Sequence, residues 1–264
     1  MQKIVVIVPV FNMDLHIQNV VRSLNRAKEQ KVISDYVVVD DGSADTSGRL
    51  AEALGARVLS LRANAGKSFA FCKGLFEVAR ENPDYIVTLD ANLKPFDPVE
   101  IVKLVDPLLH NPSQKMTIGE DLDGFSLFSG QRAIRFSALK PLFLGNKAWL
   151  KLFGIALDAR GHPVLARRAG YGLEEALNYT LTKNEKGQSN VFSLVVNTGL
   201  KKDREARMSR SSFDPFDKHI RLSAEMDEAG RIIAQRQKKA ALLNRLRQKK
   251  KFNQARRARK RIRS

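Results

Sequence analysis

The chain has 264 residues, of which 43% are hydrophobic, which suffices for one substantial α/β domain with an appendage. Its 46 Lys and Arg against 28 Asp and Glu give a net charge of +18. No apolar run approaches the roughly 18 residues of a membrane span, and the sequence opens on a predicted strand rather than a secretory signal, so we expect a cytoplasmic protein. The single cysteine, Cys72, excludes an internal disulfide and a cysteine-based metal site.

The first third of the chain alternates apolar runs with helical patterns. Short runs rich in β-branched residues predict buried strands at 4–8, 36–39, 57–61 and 85–89. Segments with apolar residues at a period near 3.6 lie between them and predict helices. This βαβαβαβ order predicts an α/β fold with a mostly parallel, doubly wound sheet.

Acidic residues follow two of these predicted strands. Asp40 and Asp41 come at the end of the second strand, and Asp90 comes at the end of the fourth. Ligands of open α/β sheets bind at the carboxyl ends of the strands. We therefore expect these carboxylates to share one crevice.

Four segments in this part of the chain resemble the successive motifs of family 2 glycosyltransferases, which have the GT-A fold. They are Val8-Pro9-Val10-Phe11-Asn12, Val39-Asp40-Asp41-Gly42-Ser43-Ala44-Asp45-Thr46, Asn64-Ala65-Gly66-Lys67-Ser68-Phe69-Ala70 with Gly74-Leu75, and Leu89-Asp90-Ala91-Asn92-Leu93. The resemblance covers roughly residues 1–135 and implies a nucleoside-diphosphate sugar as the donor. The residues that it implies for nucleotide binding are Pro9, Asn12, Asp40, Asp41, Lys67 and Asp90.

The same resemblance implies a Mg²⁺ or Mn²⁺ ion, held by Asp90 and the residue two positions on in an Asp-x-Asp pattern. Here that residue is Asn92, whose amide oxygen can coordinate magnesium but carries no charge. Three outcomes are open: a metal site of reduced affinity, replacement of part of the metal's charge by Lys94, or lost catalysis with Asp90 and Asn92 capping a turn. Asp203, which falls where glucosyl-3-phosphoglycerate synthases have a metal-binding histidine, would restore the missing charge.

Residues 128–135 resemble a segment of polyprenyl-phosphate sugar synthases and, more loosely, of glucosyl-3-phosphoglycerate synthases. In both groups this region faces a phosphorylated acceptor, and guanidinium groups suit phosphate because they can bind it through two hydrogen bonds. The alternative is a strand edge followed by a solvated helix start. The acceptor-binding residues that the resemblance implies are Ser129, Gly130, Arg132 and Arg135.

Residues 169–177 resemble the same two groups of enzymes. The resemblance implies that Glu174 lies near the donor sugar or the acceptor, where it orients hydroxyl groups or acts as a base. An ordinary acid at a helix N-terminus is the alternative. We expect Asp90, Glu174 and Arg132 to be the catalytic residues.

The positive charge is concentrated at the C-terminal end. Residues 231–264 contain 15 Lys or Arg and no Asp or Glu, which leaves 31 basic against 28 acidic residues in the first 230. We expect a GT-A domain over 1–206, a linker over 207–230 and a basic tail, helical or disordered, over 231–264. Such a tail suits an anionic membrane surface slightly better than nucleic acid, and a solvated extension is the third interpretation.

The predicted function is the transfer of a hexose from a nucleoside diphosphate to an acceptor, either a polyprenyl phosphate or another phosphorylated compound. Asn92 favours a different interpretation, a non-catalytic nucleotide-sugar-binding protein whose tail binds nucleic acid or an anionic membrane. Lys67, Arg132 and Glu174 favour the enzyme. With a tail on the membrane, the enzyme would lie at its inner face.

Overall fold

The computed structural model describes residues 2–120, 129–143, 146–165, 173–181 and 195–202. All of them belong to the first of the two units into which the chain divides, Met1–Lys218. The predicted linker, the basic tail and Asp203 lie outside the described residues. The domain boundaries and the partner of the tail therefore stay predictions.

Of the strands in the described residues, seven form the main sheet and two form a separate hairpin. In chain order the strands are β1 Ile4–Val10, β2 Asp35–Asp40, β3 Arg57–Ser60, β4 Tyr85–Thr88, β5 Met116–Gly119, β6 Arg132–Arg135, β7 Ile155–Leu157, β8 Pro163–Leu165 and β9 Val195–Val196. The main sheet has the order β3-β2-β1-β4-β6-β5-β9, and β7 pairs with β8. Of the seven strands described in that sheet, β6 alone runs antiparallel. The predicted α/β class and mostly parallel sheet are confirmed.

Helices connect and cover these strands. They are α1 Asp14–Glu29, α2 Ser47–Ala53, α3 Lys67–Val78, α4 Val99–His110, α5 Phe136–Phe143, α6 Lys147–Leu152 and α7 Leu173–Leu181, with a short 3₁₀ turn at Ala79–Glu81. In α1, Ile17, Val21 and Leu24 recur at helical spacing and are fully buried. No helix within the described ranges combines the length and the apolar character needed to cross a membrane.

The core lies around the parallel strands, which are covered on both faces. Residues 5–8 of β1 and 37–39 of β2 are fully buried, which explains why these strands are continuous apolar runs rather than alternating ones. Cys72 of α3 is buried in the same core, and burial raises the pKa of its thiol to about 12. Since the core fixes these strands, the loops at their carboxyl ends have a rigid base.

Candidate active site

The loops after β1 and β2 are hydrogen-bonded to each other at the carboxyl edge of the sheet. Asn12 accepts a hydrogen bond from the backbone N–H of Ala44 at 2.8 Å, and its own N–H donates to the hydroxyl of Ser43 at 3.0 Å. The N–H of Met13 donates to the hydroxyl of Ser47 at 2.7 Å. Asn12 has φ 52, in the left-handed region that asparagine tolerates better than most residues. The structure thus places Asn12 at the predicted edge, where it joins the two loops.

Asp41 holds the loop that leads into α3. Its carboxylate accepts hydrogen bonds from the backbone N–H groups of Ala65 at 2.7 Å and Gly66 at 2.9 Å, and from the side-chain amide of Asn64 at 3.0 Å. Burial raises the pKa of Asp41 even though the two backbone N–H groups favour its ionised form. Both oxygens are engaged by the loop, and a direct contact of Asp41 with the nucleotide stays a prediction. Its role here is to position Lys67, the first residue of α3.

Asp40 and Pro9 also lie at this edge of the sheet. One oxygen of Asp40 accepts a hydrogen bond from the N–H of Ser43 at 3.0 Å, and the other lies against Gly48, where an added Cβ would clash with it. Pro9 is half-buried and pairs with Val39 of β2. Both lie at the predicted edge of the sheet, where Asp40 shapes the loop after β2.

Four charged side chains meet beside these loops, and we call them the ion cluster: Lys67, Asp90, Glu174 and Lys202. The ammonium group of Lys67 lies 2.7 Å from Oδ1 of Asp90 and 2.7 Å from Oε1 of Glu174. The ammonium group of Lys202 lies 3.1 Å from Oδ2 of Asp90. Their side chains retain between 15% and 25% of their surface exposure, so the ion cluster is sheltered but reachable from solvent. The predicted residues Lys67, Asp90 and Glu174 are therefore neighbours in space.

The ion cluster consists of fixed charges. Burial alone would raise the pKa of Asp90, but Lys67 and Lys202 outweigh burial and lower it well below its ordinary value. Burial likewise opposes the charge of Lys67, but Asp90 and Glu174 raise its pKa above the ordinary value. For Glu174, Lys67 and then Arg132 overcome burial and lower the pKa. A carboxylate with a lowered pKa is a weak base, so Glu174 is better suited to orienting a hydroxyl group than to removing its proton.

Arg132 stabilises the helix that carries Glu174 of the ion cluster. Its side chain is fully buried, and it donates hydrogen bonds to the backbone carbonyl of Ser129 at 2.8 Å and to Oδ1 of Asn178 at 2.5 Å. Asn178 lies one turn of α7 after Glu174, so Arg132 fixes the helix that presents Glu174. Its guanidinium group is thus bound by the protein itself, and a contact of Arg132 with an acceptor phosphate stays a prediction.

Gly130 lies directly against the ion cluster. A Cβ at this position would clash with Oδ1 of Asp90 and lie 2.5 Å from Nζ of Lys67. The adjacent Ser129 is fully buried, and its hydroxyl accepts a hydrogen bond from the N–H of Gln131 at 3.2 Å. The structure brings both predicted acceptor residues to the site, where Gly130 allows the ion pair to pack on the backbone.

Arg135 lies away from the ion cluster. In the antiparallel pairing of β6 with β4, Arg132 is opposite Thr88 at the carboxyl end of β4, whereas Arg135 is opposite Tyr85 at its other end. Its guanidinium group donates to the Tyr85 hydroxyl at 3.0 Å and to backbone carbonyls of three residues, which are Leu108, Asn111 and Gln114. Because residues 132–135 form a strand, Arg135 lies at the opposite end of β6 from the ion cluster, and its binding of the acceptor stays a prediction.

Lys202 was missed by the sequence analysis. It reaches the ion cluster because the segment 197–202 runs antiparallel to the residues after Asp90: Leu93 and Lys202 form a β-bridge, and the N–H of Lys94 donates to the carbonyl of Lys201 at 2.8 Å. No local pattern around Lys202 signals this long-range pairing, and the sequence pointed instead to its neighbour, Asp203. Lys94, which the sequence suggested as a substitute for metal charge, is exposed.

The described residues fit poorly around a divalent metal ion. Each oxygen of Asp90 faces an ammonium group, one from Lys67 and one from Lys202, and Asn92 adds no charge. Two unit charges 4 Å apart near a protein surface interact by about 4 kcal/mol, so an ammonium group would oppose a doubly charged ion roughly twice as strongly. Within the described ranges, no three His, Cys, Asp or Glu side chains are grouped so as to hold a metal ion.

Comparisons with known proteins identify the family and the fold. A family model described as Glycosyl transferase family 2 matches residues 5–154, and a search of curated proteins finds no match. Two similar solved structures are of glucosyl-3-phosphoglycerate synthase from Mycobacterium tuberculosis. Its complex with Mn²⁺, UDP and glucosyl-3-phosphoglycerate is 20% identical over 86% of this chain and 76% of that chain, with a TM-score of 0.55. Its complex with Mg²⁺ and UDP is 19% identical over 84% and 76%, with a TM-score of 0.57.

The extent of the likeness varies between complexes of that enzyme. With the complex that holds Mn²⁺, UDP and phosphoglyceric acid, the identity is 21% over 67% of this chain, and the TM-score is 0.49. This chain then spans less than two thirds, 63%, of the other chain. The more extensive alignments, together with the family match and the sheet order, confirm the predicted GT-A fold.

Proposed function

The chain belongs to glycosyl transferase family 2 and is a glycosyltransferase, and we propose that it moves a hexose from a nucleoside diphosphate to a phosphorylated acceptor. The observation that carries this proposal is the ion cluster, in which Lys67 joins Asp90 to Glu174 at the carboxyl edge of the sheet. That edge is where an open α/β sheet binds its ligands. Sheltered ammonium groups there suit a diphosphate.

The solved structures support the choice of substrates. The synthase from Mycobacterium tuberculosis has been crystallised with UDP and glucosyl-3-phosphoglycerate, and also with phosphoglyceric acid. UDP and a small phosphorylated acid are therefore the first probes for this chain. A polyprenyl phosphate, which the sequence also suggested, carries the same phosphate chemistry on a lipid.

The reaction exchanges one bond at the anomeric carbon for another. The bond from that carbon to the β-phosphate oxygen breaks, its electron pair stays on the oxygen, and an acceptor oxygen forms the new bond. An acceptor phosphate oxygen is already ionised at neutral pH, so no proton has to leave and a strong base is unnecessary. An acceptor hydroxyl would release its proton to solvent, with Glu174 orienting the hydroxyl through a hydrogen bond.

A transfer assay with the full chain tests this proposal. UDP-glucose and GDP-mannose are each incubated with phosphoglyceric acid, with glycerol 3-phosphate and with polyprenyl phosphate in vesicles, in the presence and in the absence of Mn²⁺. We expect transfer to a phosphorylated acceptor and none to its dephosphorylated form. Absence of transfer from every donor to every acceptor, together with no binding of UDP or GDP, would overturn the proposal.

Glu174→Gln is the variant that links the assay to the site. We expect a fall in kcat of about tenfold to a hundredfold, because the amide keeps the shape of the side chain but loses its charge and one acceptor oxygen. The matched control is Glu52→Gln, since Glu52 is exposed on α2. Equal activity of both variants would remove Glu174 from the catalytic site.

A further inference from the structure

We propose that this glycosyltransferase works without a divalent metal ion, and that Lys202, together with Lys67, supplies the positive charge that receives the diphosphate of the donor. The inference rests on the proposed transfer reaction and deepens it, because it says which groups stabilise the leaving nucleotide. It departs from the solved relatives, whose complexes contain Mn²⁺ or Mg²⁺ beside UDP.

Lysine side chains already pair with both oxygens of Asp90. The two ammonium groups approach its two oxygens separately, Lys67 at 2.7 Å from Oδ1 and Lys202 at 3.1 Å from Oδ2. A divalent ion would have to displace at least one of them. Asn92, two residues after Asp90, offers such an ion an amide oxygen but no charge.

The fold holds Lys202 in place. Its backbone is fixed by the β-bridge to Leu93, and the segment before it is fixed by the buried Leu200, whose N–H donates to the hydroxyl of Thr198 at 3.3 Å. Its side chain is only 17% exposed. An ordinary surface lysine extends into water, whereas Lys202 is held at the edge of the sheet where the donor binds.

The charges of the ion cluster also suit a transfer without a metal ion. The ion cluster contains two carboxylates and two ammonium groups, so its charges balance without a metal ion, and Arg132 adds one positive charge behind Glu174. When the bond to the sugar breaks, the diphosphate gains one negative charge. A preorganised ammonium group interacts more strongly with that product than with the intact donor, which is the condition for lowering the barrier.

Calorimetric titration of the full chain with UDP and with GDP, in EDTA and in MnCl₂, tests the inference. We expect one of the two nucleotides to bind with dissociation constants that agree within about twofold in the two buffers. Lys202→Met should weaken binding in EDTA by at least about tenfold, as expected for the loss of a charge-assisted hydrogen bond, whereas Lys202→Arg should retain most of the affinity.

The control is Lys201→Met, which removes the same charge from an exposed side chain next to Lys202; it should change affinity by less than about twofold. Thermal melting shows whether each variant is folded. If Lys202→Met does not fold, Lys202→Arg still tests the inference. Binding and transfer that occur only with Mn²⁺ would overturn the inference and leave the transferase proposal standing. Equal affinity of Lys202→Met and Lys201→Met in EDTA would also overturn it. Absence of binding in both buffers, together with absence of transfer, would overturn both proposals.

Discussion

The loops after β1, β2 and β3 contribute to the site in a different way from the segments after β5. In the first group, polar side chains such as Asn12 and Asp41 are engaged by neighbouring backbone N–H groups. In the second group, Glu174 and Lys202 bring charges to Lys67 and Asp90. The first region is thus a hydrogen-bonded frame, and the second sets the electrostatics. Variants that separate stability from ligand binding can test this division.

The largest effect is expected from Arg132→Met. This change removes a buried guanidinium group and leaves the carbonyl of Ser129 and the amide oxygen of Asn178 without their donor, so we expect the free energy of unfolding to fall by about 3 kcal/mol. Binding of UDP should weaken as well, because α7 positions Glu174. Urea unfolding and calorimetry measure the two effects.

Arg135→Met is the matched control for that variant, since it changes the same residue type at the other end of the same strand. It should reduce stability, because Arg135 donates to several backbone carbonyls, but leave the affinity of the folded protein for UDP unchanged. If both variants weakened UDP binding equally, the division between the two ends of β6 would be wrong.

Gly130→Ala should come next, with a loss of about 2 kcal/mol in stability and a loss of UDP binding. The added methyl group would force Lys67 and Asp90 apart or shift the backbone of residues 129–131. Gly161→Ala serves as a comparison because Gly161 has φ 79 but open space around its Cβ position. The alanine variant therefore introduces backbone strain without a clash. Normal UDP affinity in Gly130→Ala would contradict the packing of the ion pair on this glycine.

Asp41→Ala should reduce stability by about 2 kcal/mol, since the N–H groups of Ala65 and Gly66 would lose a charged acceptor. UDP affinity should fall only to the extent that Lys67 is displaced from its position at the start of α3. Urea unfolding in parallel with UDP titration distinguishes this from a direct ligand contact. A loss of affinity without any loss of stability would instead indicate a direct contact of Asp41 with the nucleotide.

The smallest effect is expected from Asn92→Asp, which places a second carboxylate two residues after Asp90. A hard cation binds a carboxylate more strongly than an amide, so Mn²⁺ affinity in the presence of UDP should rise about tenfold, which corresponds to about 1.4 kcal/mol. Asn111→Asp, an equal charge change at an exposed position, should have no such effect. Unchanged Mn²⁺ affinity would mean that residue 92 lies away from any Mn²⁺ that binds together with UDP.

The frame could be predicted from the sequence because its signals are local. Continuous apolar runs gave β1, β2 and β4, and the acidic residues at their ends were correctly placed at one edge of the sheet. The chemistry of Asp41 was not predictable in the same way, because a carboxylate at a strand end can bind a ligand or hold a loop. Its partners, the N–H groups of Ala65 and Gly66, belong to a loop whose conformation the sequence does not state.

The charges from the second region depend on long-range geometry. Arg135 lies away from the ion cluster because three residues of an antiparallel strand span about 10 Å, a separation that closeness to Arg132 in the sequence does not reveal. Lys202 was missed because its position depends on the bridge to Leu93, far away in the sequence. Glu174 was placed near the site by its motif, but its ion pair with Lys67 needed the fold.

The most direct test of the central claim is a crystal structure of the full chain with UDP bound in the presence of EDTA. If the donor binds without a metal ion, a phosphate oxygen should lie about 3 Å from Nζ of Lys202. Asp90 should remain within ion-pair distance of Lys67, and no cation should bridge Asp90 to the phosphates. UDP bound with its diphosphate remote from Lys202, or bound only after addition of Mn²⁺ with the metal coordinated by Asp90, would contradict the account.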